Sequence, residues 1–152
     1  MRYLGVDYGR RRIGLALSDE SGVLARPWET VAGSSPVLSA ATVSACIDAF
    51  AHDHPDEAIT GIVVGLPRRL NGDDNDQTPL VRQFAQRLAA LTGLEVHLQD
   101  ERLTSHEADG QLGEREKDWR RRKQKLDAVA AAIILQDFLD RPAPAATSGD
   151  SQ

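Results

Sequence analysis

Hydrophobic and polar positions change period several times along the chain, and each change marks an element. Tyr3-Leu4-Gly5-Val6-Asp7 is a short apolar run ending in a glycine turn, the pattern of a buried strand. From Arg12 to Ser18 the chain alternates, with Ile13, Leu15 and Leu17 on one side and Gly14, Ala16 and Ser18 on the other. That period of two predicts a second strand, joined to the first by a hairpin at Tyr8-Gly9-Arg10-Arg11. Leu24 to Val31 supplies a third strand, confined to an edge because Pro27 has no backbone N–H to give a neighbour. Ser35-Pro36 reads as an N-cap followed by proline in the first helical position. The predicted helix carries Val37, Leu38, Ala41, Ala45 and Phe50 and stops near His54-Pro55. Ala58 to Gly65 is almost entirely apolar, as a central strand covered on both faces must be. Thr78-Pro79 repeats the cap signal for a helix with Leu80, Val81, Phe84, Leu88 and Leu91, closed by Thr92-Gly93. Leu94 to Leu98 is the last strand. Thr104-Ser105-His106-Glu107 has capping-box spacing and predicts a helix, and a final helix runs from Gln124 to Leu139.

The order β-β-β-α-β-α-β-α-α predicts an α/β fold. Its centre is a five-stranded mixed sheet, three antiparallel strands followed by two parallel ones, with helices on both faces. Residues 1–140 form one domain in this reading. The stretch 141–152, rich in Pro, Ala, Ser and Gly without apolar periodicity, is expected to be a disordered tail.

Ligands of such sheets sit at the carboxyl ends of strands near a switch in strand order. Asp7 and Glu101 both follow apolar runs and occupy such ends, and Asp127 opens the alanine-rich segment Ala128-Val129-Ala130-Ala131-Ala132. Gathered together, the three would make an all-oxygen pocket for a hard cation, Mg2+ or Mn2+. Each has a plainer reading. Asp7 is also what a hairpin turn contains. Asp100 and Glu101 also favour the positive end of a helix, although Glu101 lies early for that role. Asp127 also suits an N-cap with Lys125 beside it. Against the last reading, Asp127 shares a helix face with Ala130, Ala131 and Ile134, and a buried aspartate needs a partner or a metal.

A net charge of −5 over 152 residues argues against a nucleic-acid partner until the distribution is considered. Arg10, Arg11 and Arg12 follow Asp7, Arg68 and Arg69 follow the central strand, Arg102 follows Glu101, and an Arg-Lys run ending at Lys125 precedes Asp127. The acids gather elsewhere, notably at Asp73, Asp74 and Asp76. Basic groups around the three carboxylates suit a phosphate backbone, so Arg10, Arg11, Arg12, Arg68, Arg69, Arg102 and Lys125 are candidate nucleic-acid contacts. The single cysteine, Cys46, leaves no disulfide framework or cysteine zinc site and is read as packing. The four histidines have no ligand spacing. With no leader and no membrane-length apolar run, a cytoplasmic protein is expected.

Four blocks then carry a resemblance: Gly5-Val6-Asp7-Tyr8-Gly9 with Arg12-Ile13-Gly14-Leu15-Ala16; Ile62-Val63-Val64-Gly65-Leu66-Pro67 with Asn71-Gly72; Asp100-Glu101-Arg102-Leu103-Thr104-Ser105; and Lys125-Leu126-Asp127 with Ala130-Ala131 and Ile133-Ile134-Leu135. In this order they resemble the YqgF family, bacterial proteins named for Holliday junction resolution or pre-16S rRNA cleavage. The resemblance implies an RNase H-like fold and Asp7, Glu101 and Asp127 as the acidic catalytic set. One departure is Glu114 to Trp119 with the following arginines, where the family usually has a glycine-containing stretch. The function expected is a metal-dependent endonuclease that processes the 5′ end of precursor 16S rRNA in ribosome biogenesis, acting on structured RNA or ribosomal precursor particles. The alternatives are a resolvase of branched, four-way DNA and a non-catalytic RNA-binding factor. An Asp-x-Gly turn after a first strand also resembles the phosphate loop of actin-like ATPases, but 152 residues cannot supply the second domain those need.

Overall fold

A computed structural model describes residues 1–101 and 119–141, with residues 119–125 given by backbone alone. The predicted capping-box helix, Arg102 and residues 142–152 of the expected tail lie outside the described residues. Strands β1 (Arg2–Tyr8), β2 (Arg12–Ser18), β3 (Ala25–Ala32), β4 (Ile59–Leu66) and β5 (Glu95–Asp100) lie side by side in the order β3-β2-β1-β4-β5. The pairs β1–β2 and β2–β3 are antiparallel, and β1–β4 and β4–β5 are parallel. This is the mixed sheet expected from the sequence. Pro27 is accommodated on edge strand β3, where the register with β2 shifts between Leu15 and Ala16.

Strand alternation sorts the side chains into two layers. Leu4, Val6 and Tyr8, with Ile13, Leu15, Ile62 and Val64, join the core that includes residues of α1 (Pro36–Asp53) and α2 (Thr78–Thr92). The opposite face carries smaller groups, Gly5, Gly14, Ala16, Gly61, Val63 and Gly65, and α3 (Trp119–Leu139) lies across it. A Cβ on Gly5 would stand 2.9 Å from the Ala131 carbonyl oxygen, and one on Gly14 only 1.9 Å from that of Asp127. Glycine at these strand positions lets the helix backbone approach the sheet backbone. Ala131, Ile134 and Leu135 are fully buried in the seam, and each Ile or Leu stabilises it by about 1.5–3 kcal/mol.

Several boundaries differ from the sequence pattern. The inward residues of α1 are Ala40, Val43, Ile47 and Phe50, whereas Val37 and Leu38 are exposed, because the burying stripe follows the i, i+3, i+4 series through Phe50. Ser35 does cap this helix, accepting from the Leu38 N–H. Thr78 does not cap α2: its hydroxyl donates to the Pro67 carbonyl, and the Asn75 carboxamide oxygen accepts from the Gln77 and Thr78 N–H groups. Helix α3 begins at Trp119, earlier than Gln124, because Arg, Lys and Gln propagate a helix as readily as apolar residues do. Asp127 therefore lies inside the helix, which removes the N-cap reading. No described helix is long and apolar enough to cross a membrane.

Candidate active site

Asp7 leaves β1 on the α3 side of the sheet, next in alternation after Gly5. Glu101 follows β5 directly, and its N–H donates to the Leu66 carbonyl at 3.2 Å, so it prolongs the β4–β5 pairing by one residue. Strand β4 lies between β1 and β5, which places the two acids two strand spacings apart, about 9.5 Å. They nevertheless meet, because the intervening position on β4 is Gly65. A Cβ there would stand 2.5 Å from Glu101 Oε2 and 2.5 Å from Ile134 Cδ1. The longer glutamate side chain crosses the empty glycine position to reach Asp7.

The two carboxyls are hydrogen-bonded to each other. Burial, reinforced by the nearby charge of Asp127, pushes Asp7 up to about 7. Burial, then the charge and hydrogen bond of Asp7, then the charge of Asp100, push Glu101 up to about 9. The bond to Glu101 favours ionised Asp7, whereas the same bond favours neutral Glu101. Burial and mutual repulsion therefore hold a proton between the two carboxyls.

Asp127 is brought to this pair by Gly14. Asp7 is the register partner of Gly14 across the β1–β2 ladder, and α3 rests its Asp127 peptide on that glycine. The Asp127 carboxylate, however, is turned to Arg12: Nε donates to Oδ2 at 2.7 Å, with the two side chains 34% and 24% exposed. Arg12 reaches it from the same face of β2 as Gly14, two residues away. Among the described residues no three acidic, histidine or cysteine donors stand close enough as placed to enclose a cation. The donor chemistry, three carboxyl groups of which two are crowded together and share a proton, suits a hard divalent ion. The orientation of Asp127 does not yet complete the set.

The basic candidates separate into two groups. Arg10 and Arg11 are exposed on the β1–β2 turn beside Asp7. Arg68 and Arg69 follow β4 on the same rim but are folded against the acidic loop, contrary to the separation of charges expected from the sequence. Asp74 accepts from Arg82 at 2.7 Å and lies 3.9 Å from Arg68 Nε, and its carbonyl accepts from Arg69 Nε at 3.2 Å. A short loop lets neighbouring opposite charges pair, which spacing along the chain concealed. Arg102 and the Lys125 side chain lie outside the described residues. His54 stacks on Phe50 and His97 packs on Phe138, in keeping with structural roles, and Cys46 is half-buried beside the main core. The residues that sequence reasoning missed are Gly14 and Gly65. Their signal was present as glycines on one face of alternating strands.

A family model described as RuvX, Holliday junction resolvase, matches residues 1–141, and it is the family that the four sequence blocks resemble. A protein of Anaeromyxobacter sp. (strain K) named "Putative pre-16S rRNA nuclease" is 44% identical over 144 residues, 95% of this chain and 100% of that protein. One of the same name from Moorella thermoacetica is 40% identical over 141 residues, 93% of this chain and 96% of its own length. Among solved structures, T. thermophilus RuvC in complex with Holliday junction substrate has a TM-score of 0.50 at 17% identity, covering 92% of this chain and 96% of that chain. At that identity the likeness concerns the fold, which is RNase H-like.

Proposed function

The chain belongs to the RuvX family and is accordingly a nuclease, a hydrolase of nucleic-acid phosphodiester bonds, and we propose that Asp7, Glu101 and Asp127 are its catalytic carboxylates. The observation that carries this reading is the meeting of Asp7 and Glu101 across Gly65, with Asp127 set against the same corner by Gly14. Two acids pushed toward neutrality at the carboxyl ends of a sheet are costly to folding and are kept where chemistry needs them.

The three carboxylates would hold Mg2+ or Mn2+, which supplies an activated water and stabilises the departing oxygen. On holding a cation, Asp7 and Glu101 would release to solvent the proton they share. Arg10 and Arg11, exposed beside Asp7, hold the phosphate backbone over the site, and Arg69, Arg102 and Lys125 extend that contact. Arg68 contributes mainly through its loop. Residues 1–140 act as one nuclease domain.

The preferred substrate is the 5′ end of precursor 16S rRNA, in a cytoplasmic step of ribosome biogenesis on precursor particles, because the named relatives at 40–44% identity carry that designation. The second reading, cleavage of four-way DNA, draws on the family's own description. The deciding experiment incubates the purified protein and its Asp7→Asn variant with end-labelled precursor rRNA and with a four-way DNA junction, each with Mg2+ or Mn2+. Cleavage of the RNA by wild type alone is expected. Cleavage of the junction but not the RNA would make the protein a resolvase. RNA binding without cleavage in either metal would make it a non-catalytic factor.

A further inference from the structure

We propose that Arg12 is a built-in counter-cation of the carboxylate site: its guanidinium holds Asp127 in the metal-free protein and is displaced when a divalent cation enters. The inference rests on the reading of Asp7, Glu101 and Asp127 as a cation site and adds how that site is held without its cation. Three observations carry it. The pairing is direct, Nε to Oδ2 at 2.7 Å. Among the described residues, Arg12 is the cation paired with one of the three acids. And no three donors stand together in the present arrangement, although Asp7 and Glu101 already touch and Asp127 lies within electrostatic reach of Asp7.

A divalent ion of this class binds oxygen at about 2.0–2.2 Å. Asp127 is not gathered with Asp7 and Glu101 as placed, so its carboxylate must reorient to serve such an ion, and the guanidinium that holds Oδ2 opposes that reorientation. Arg12 begins β2 beside the exposed turn, and its side chain is one-third exposed. A purely architectural ion pair would instead persist when the metal binds.

The test is calorimetric titration of Mn2+ into the metal-free wild type, Arg12→Gln and Asp7→Asn proteins. It is joined by the Arg12 Nε–H resonance of the wild type followed during Mg2+ addition. Arg12→Gln is expected to bind Mn2+ on the order of tenfold tighter than wild type, since the competitor is gone. The wild-type Arg12 resonance is expected to move to a solvent-exposed position as Mg2+ saturates. Equal or weaker Mn2+ binding by Arg12→Gln, or an unmoved resonance at saturation, overturns the proposal. The resonance needs no variant, so a misfolded Arg12→Gln protein does not spare it. Asp7→Asn separates the two levels. If it binds Mn2+ like wild type, the carboxylate site itself fails and the counter-cation with it. If it loses binding while Arg12→Gln gains nothing, only the counter-cation fails.

Discussion

Two carboxyls that share a proton leave a thermodynamic trace. Asp7 and Glu101 are raised from 3.8 and 4.5 to about 7 and about 9. Below the unfolded values both states hold these protons, and the folded protein has its full stability from this source. As pH rises through the folded values that contribution is lost, because the unfolded chain has already released its protons and the folded site must ionise against burial and repulsion. Asp19 works in the opposite sense, held low by hydrogen bonds from Ser21 and from the Leu24 and Val23 amides, but its effect is confined to the acid range. In chelator, the melting temperature should therefore fall between pH 5 and 9. Asp7→Asn should flatten that fall and melt above wild type at pH 8 by at least about 3 °C. A wild-type profile already flat over this range would contradict the shared proton. At this scale the acids were legible in the sequence as charged residues closing apolar runs. The pairing of Arg12 with Asp127 was not, because 115 residues separate them and no spacing rule spans that distance.

The element that decides the site is α3. Its approach to the sheet depends on Gly14 more than on its own alanines, since the atom facing Gly14 is backbone and cannot rotate away. Gly14→Ala should lift the helix, cost about 3 kcal/mol or more, and carry Asp127 away from Asp7, so that the denaturation midpoint and cleavage fall together. A Gly14→Ala protein with wild-type midpoint and activity would show that the close approach is not needed. The strands and the two sheet-covering helices were readable because periods of two and 3.6 differ plainly. The start of α3 was not, because its first turns are Arg, Lys and Gln without an apolar stripe. The cap of α2 was misplaced for a related reason: Asn75 and Thr78 both carry capping groups, and only the fold shows that Thr78 is turned to Pro67.

For the whole molecule, the net charge of −5 is a poor guide, because the topology distributes it. Asp74 neutralises much of the Arg68 and Arg82 charge, while Arg10 and Arg11 stay exposed next to the acids. In the proposed assignment backbone binding and bond cleavage fall to different residues, and they should separate experimentally. The most direct test compares single-turnover cleavage with equilibrium binding for the wild type, Asp7→Asn, Glu101→Gln and Asp127→Asn, on the nucleic acid that the wild type cuts. Each variant should lose cleavage by at least about 1,000-fold while its affinity stays within about threefold of wild type. A variant at any of the three positions that cuts at the wild-type rate would contradict the assignment of these carboxylates.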